Sequence, residues 1–123
     1  MSTAVVVLSD PQNGEESLGR LFNALAATYD LQERGLPVDL IFQGAGTRWI
    51  SVVTQPDHPA NALYRAVEER VAGVSCACAD VFGTRDAAES SGFALLAGNG
   101  VPGTSGLASL AQYVASGDRV LTF

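Results

Sequence analysis

Apolar and polar positions alternate along this chain in a regular rhythm. Ala4-Val5-Val6-Val7-Leu8-Ser9 is a continuous apolar run rich in β-branched residues. A strand buried on both faces reads this way. Asp10-Pro11-Gln12-Asn13-Gly14 is a turn cluster, and Asn13 with Glu16 has the spacing of a helix cap and its acidic partner. Leu18, Leu21, Phe22, Leu25 and Tyr29 then recur at helical spacing, and Gly35 stops the helix. Val38, Leu40, Ile41 and Phe42 form a second strand, closed by Gly44-Ala45-Gly46. Thr47 to Val53 predicts a short helix with Trp49, Ile50 and Val53 on one side.

After the break at Pro56-Asp57-His58-Pro59, a helix carries Leu63, Ala66, Val67, Arg70 and Val71, with Gly73 at its end. Val74 to Cys78 reads as the third strand, Thr84 to Ser91 as a short helix, and Phe93 to Ala97 as a fourth strand. Ser105 to Ala115 predicts a helix with Leu107, Leu110, Ala111 and Val114 inward, and Arg119 to Phe123 a closing strand. Strands alternating with helical crossovers imply a single α/β domain over residues 1–123. The expected form is three-layered, with a mostly parallel five-stranded sheet, flavodoxin-like order 2-1-3-4-5 and helices on both faces.

Composition narrows the classes. The 123 residues are 47% hydrophobic and only 16% charged, which suits one well-filled core and a surface that is covered by oligomerisation. The net charge of −6 and the absence of lysine argue against nucleic acid as a partner. No apolar run approaches the roughly 20 residues of a membrane span. Met1-Ser2-Thr3 leads straight into a strand-like run, unlike a signal peptide. Two cysteines at C-x-C spacing are a poor disulfide framework, so reduced thiols and a cytoplasmic location are expected.

Parallel strands point their carboxyl ends the same way. Ser9 to Gly14, Gln43 to Arg48 and Cys78 to Arg85 therefore converge on one edge. With strands one and three as neighbours, Cys78 faces a crevice lined by Asp10, Asn13, Gln43 and Arg48. A thiolate near an arginine such as Arg48 or Arg85 is a nucleophile at neutral pH. Cys76, two residues earlier on the same strand face, is expected to lie deeper, where a cysteine is commonly a small buried hydrophobe. Cys78 is thus the more reactive expectation of the two.

Other motifs carry less. Gly98-Asn99-Gly100-Val101-Pro102-Gly103 matches G-x-G-x-x-G, but no βαβ unit follows it and Pro102 lacks an amide a phosphate would use. Amides at the helix start near Thr104 and Ser105 are left to hold a small anion. His58, the single histidine, reads as a turn residue and has no ligand-spaced partner for a metal. Trp49 reads as core or subunit interface. No cofactor is called for.

The residues also resemble a family. The Val5-Val6-Val7-Leu8 strand with its polar loop and helix Leu18 to Tyr29 is similar to the DsrE/DsrF-like group of small sulfur-relay proteins, which includes the YchN-like proteins. So are Pro37 to Phe42 with the Gly44-Ala45-Gly46 turn, Gly73-Val74 leading into Cys76-Ala77-Cys78, and Arg119 to Phe123. The resemblance implies a flavodoxin-like topology and a homo-oligomer, a trimer or hexamer. It also implies a sulfurtransferase or sulfur carrier that holds a persulfide at Cys78, with sulfur donor and acceptor proteins as partners. The C-x-C doubling and the early acid Asp80, whose charge opposes a thiolate, depart from the family pattern. The alternatives are a non-catalytic small-molecule or anion binding module and an assembly component of the same fold.

Overall fold

The computed structural model describes residues 1–123. Five parallel strands form one sheet: β1 Thr3–Val7, β2 Val38–Phe42, β3 Val71–Ser75, β4 Leu95–Leu96 and β5 Arg119–Thr122. The α-helices are α1 Gly14–Glu33, α2 Asn61–Val67, α3 Cys76–Val81, α4 Arg85–Ser90 and α5 Leu110–Ala115. A 3₁₀ helix over Gly44–Ser51 follows β2, and a single 3₁₀ turn, Glu68–Arg70, follows α2. This is the expected flavodoxin-like α/β class.

The strand order is β4-β3-β2-β1-β5. β2 therefore stands between β1 and β3, whereas the order 2-1-3-4-5 would make β1 and β3 neighbours. The crevice expected between those two strands is absent. Hydrophobic runs specify which segments are strands but not which strands pair. The chain runs outward from β1 through β2 and β3 to β4 and then returns to β5 on the other side of β1, so the strand order reverses between β1 and β5.

Strands that carry Val, Leu and Ile on both faces need cover on both. β1 is fully buried along its length. On one face, Val5, Val7, Leu40, Phe42 and Val74 pack with Leu21, Ala24 and Leu25 of α1 and with Trp49, Ile50 and Val53. That face holds a cluster of 17 buried residues, while the other holds 4, namely Ala4, Val6, Ile41 and Ala108. The hydrophobic contribution to stability is therefore concentrated on the α1 face. Trp49 and Ile50 are 2% and 1% exposed within a single chain, so they are core and cannot cover a subunit interface. The Trp49 indole N–H donates to the Ser9 carbonyl at 2.8 Å.

The stretch around the cysteines departs most from the sequence reading. β3 begins at Val71, three residues before the expected start, and ends at Ser75. The register with β2 shifts between Leu40 and Ile41, leaving Ala72 as an extra residue in β3. Gly73 sits in this bulge with φ +153°, and a Cβ there would lie 2.4 Å from the Ala94 carbonyl oxygen. Glycine is thus required inside the strand rather than at a helix end. Cys76 opens α3 instead of lying in a strand. The run Cys76-Ala77-Cys78-Ala79 is short and apolar, which does not separate strand from helix, and its alanines favour helix.

Two further differences lie near the end of the chain. The segment from Ser105 to Ser109 is not helical; α5 is only Leu110–Ala115 and buries none of its residues. Val114 is 66% exposed rather than inward. Gly106 explains the extended path: its φ is +97°, and a Cβ would meet the Ala97 carbonyl oxygen at 2.8 Å.

Candidate functional site

Cys76 and Cys78 are two residues apart on a helix, hence about 200° apart around its axis. They face different neighbours. Asp80, one turn beyond Cys76, shares the Cys76 face. Phe82, one turn beyond Cys78, shares the Cys78 face. Both cysteines are free and buried, at 5% and 8% exposed, so burial does not distinguish them.

Polar partners do. Arg85 Nη1 donates to Cys76 Sγ at 3.4 Å and to Asp80 Oδ1 at 2.8 Å. Arg85 Nε donates to Glu89 Oε1 at 3.0 Å, one turn along α4. Ser105 Oγ lies 3.4 Å from Cys76 Sγ and donates to Asp80 Oδ2 at 2.5 Å. The hydrogen bonds that involve sulfur at this edge are both on Cys76, whose thiol donates to Ser105 Oγ and accepts from Arg85 Nη1. The Ser105 hydroxyl first, and Arg85 second, hold the Asp80 carboxyl below its ordinary value. Asp80 first, then Glu89, raises Arg85 above the usual arginine value, so the guanidinium is permanently charged.

Ser105 reaches the cysteine because its loop is tied down at three points. Ala77 N–H donates to the Gly106 carbonyl at 2.7 Å. Ala108 N–H donates to the buried Ser75 Oγ at 3.0 Å. Asn99 and Leu107 exchange backbone hydrogen bonds of 2.8 and 2.9 Å. The glycine-rich segment 98–103 thus leads into an extended strap over Cys76 and not into a helix start, so no helical amides gather near Thr104 and Ser105. A cavity of about 310 Å³ beside the strap is lined by Ala77, Asp80, Val81, Gly103, Thr104 and Ser105.

The other expected site residues form separate groups. Arg48 Nη1 donates to Asp10 Oδ2 at 2.9 Å and stands 5.3 Å from the centre of the Phe82 ring. Asp10 and Asn13 border a second cavity, about 450 Å³, where β1 and β5 end. Gln43 donates its backbone N–H to Val7, and its buried side-chain oxygen has no partner. Arg85, and not Arg48, is therefore the arginine joined to a cysteine, and Cys76, and not Cys78, is the cysteine joined. Asp80 was legible as a charge near the thiols but not as a member of their network; spacing of four from Cys76 marks it once the segment is known to be helical. Ser105, 29 residues away from Cys76, had no local signal. His58 Nδ1 accepts from the Ala60 N–H at 3.1 Å, a turn role. No three His, Cys, Asp or Glu side chains gather in a metal-binding group.

A parallel α/β sheet with a thiol, a guanidinium, a carboxylate and a hydroxyl at its carboxyl edge defines a class: a small α/β protein with a thiol-centred site. The chain belongs to the DsrE/DsrF-like family, whose model matches residues 1–123. Two solved structures share its fold. One is a conserved protein of unknown function, BT1422, from Bacteroides thetaiotaomicron, with 15% identity, TM-score 0.67, and coverage of 99% of this chain and 94% of that one. The other is the ychN protein from E. coli, with 21% identity, TM-score 0.56 and complete coverage of both chains. No curated protein matches the chain. No helix is long and apolar enough to cross a membrane.

Proposed function

We propose that this protein accepts and relays sulfur as a persulfide, with Cys76 as the receiving thiol. The single observation that carries the reading is the pair of polar groups on Cys76 Sγ, Arg85 Nη1 at 3.4 Å and Ser105 Oγ at 3.4 Å. The Cys76 thiol donates to Ser105 Oγ, whose own proton goes to Asp80, and Arg85 Nη1 is the donor that a thiolate or persulfide anion keeps; a cationic donor is the strongest kind. Membership of the DsrE/DsrF-like family supports the sulfur-relay class. Free thiols suit a reducing, cytoplasmic setting. A homo-oligomer, trimer or hexamer, is supported by the unpartnered outer side of α5 and β5, where Val114 is 66% and Leu121 40% exposed.

The test is intact mass after incubation with a cysteine desulfurase and cysteine. A reductant-reversible gain of one sulfur is expected in the wild type and in Cys78→Ser, and none in Cys76→Ser. A wild type that stays unmodified with its thiols shown to be reduced removes the reading. Light scattering at micromolar concentration checks assembly, and a monomer would overturn that part.

A further inference from the structure

We propose that Asp80 selects the class of sulfur donor: the site takes sulfur from a persulfide of low charge and rejects dianionic thiosulfate. This rests on the sulfur-accepting reading of Cys76.

The charges around Cys76 run against its cation. Arg85 is the arginine in the cluster, and it is shared between Asp80 at 2.8 Å and Glu89 at 3.0 Å. Two carboxylates against one guanidinium leave the group net negative. The guanidinium that would greet an anion is already engaged on both its Nε and Nη1 edges.

Cys76 does not itself line the cavity beside the strap, but Ser105, which touches its sulfur, does, and a donor reaching the thiol past Ser105 from that side passes Asp80. The cavity of about 310 Å³ beside the strap contains one charged residue, and it is Asp80. Its Oδ2 is held by Ser105 and its Oδ1 by Arg85, which fixes the carboxylate at the cavity wall. The chain as a whole carries −6, so the long-range field repels anions as well. Coulomb repulsion grows with the ligand's charge, which separates a dianion from a monoanion or a neutral molecule.

The chemistry balances with a persulfide. The Cys76 thiolate attacks the outer sulfur of R–S–SH. The new bond is Cys76 Sγ–S, the bond that breaks is R–S to that sulfur, and the electron pair leaves on R–S⁻, which takes up the proton. Nothing else is oxidised or reduced. With thiosulfate the same attack would release sulfite.

The experiment uses the Cys78→Ser protein, so that Cys76 is the single thiol, with and without Asp80→Asn. Iodoacetamide and iodoacetate share a leaving group and differ in charge, and free cysteine supplies the intrinsic ratio of their rates. Iodoacetate should be slower at Cys76 by about tenfold beyond that ratio. Asp80→Asn should remove most of this penalty, and added salt should relieve it only while Asp80 is present. Because a loosened fold would speed both reagents alike, the ratio reports charge. Sulfur loading by thiosulfate and by cysteine persulfide is followed by mass in the same proteins. Thiosulfate should load the Asp80→Asn protein and not its parent. A penalty equal to that of free cysteine, or one that survives Asp80→Asn, overturns the proposal. Sulfur uptake without charge discrimination overturns the donor class alone. Charge discrimination with no uptake from either donor overturns it together with the sulfur-accepting reading.

Discussion

Arg85 Nη1 stands 3.4 Å from Cys76 Sγ while the same nitrogen holds Asp80 at 2.8 Å. The arginine comes from α4 and the cysteine from the first residue of α3, so the Gly83 turn between them sets the distance. Gly83 has φ +72°, which an L side chain rarely adopts. Arg85→Gln keeps a donor near the sulfur but removes the cation. We expect alkylation of Cys76 at pH 7 to slow by about fivefold, the scale of a partly exposed ion contact. An unchanged rate, measured in the Cys78→Ser background, would show that the guanidinium does not assist the thiol.

The strap over Cys76 yields a second expectation. Gly106→Ala places a Cβ 2.8 Å from the Ala97 carbonyl oxygen in a backbone already at φ +97°. The strap must move, and Ser105 moves with it. Cys76 should then react faster with neutral alkylating reagents, while Cys78, on the other side of α3, should change little. Equal acceleration of both thiols would mean that the substitution loosens α3 as a whole.

Tyr113 carries a pH expectation. Its hydroxyl donates to Asp39 Oδ2 at 2.6 Å, and burial first, then Asp39, pushes its ionisation above the ordinary tyrosine value. The folded state therefore holds this proton more tightly than the unfolded state. The resulting stability is complete below the unfolded value of about 10 and is lost as pH rises through the folded one. Tyr113→Phe should cost about 1 kcal/mol at neutral pH and show a shallower loss of stability in denaturant titrations above pH 10. The same alkaline slope in both proteins would contradict it.

Trp49 tests the core. It is 2% exposed and bonded to Ser9. Trp49→Ala should destabilise the fold by about 3–5 kcal/mol. Trp49→Phe should cost less and leave the oligomeric state unchanged, since the indole lies inside one chain. A change in particle mass by light scattering without a drop in unfolding midpoint would return Trp49 to an interface.

Much of the fold was legible in the residues. Val5-Val6-Val7 and Val38 to Phe42 could only be buried strands, because runs apolar on both sides need cover on both. Leu18, Leu21, Leu25 and their helical spacing placed α1 against them. Cysteines, arginines and an acid near one sheet edge also marked the region of the site. Local periodicity carries this information, since it records which side of each element avoids water. What it does not record is which elements meet. The place of β2 between β1 and β3, the bulge at Ala72 and the start of a helix at Cys76 depend on pairing and packing across the chain. Those three features decide that Cys76 turns toward Arg85 and Ser105, and that Cys78 turns away. Ser105 reaches the site only because Gly106 can pass under Ala97, a contact between segments whose meeting no local pattern encodes.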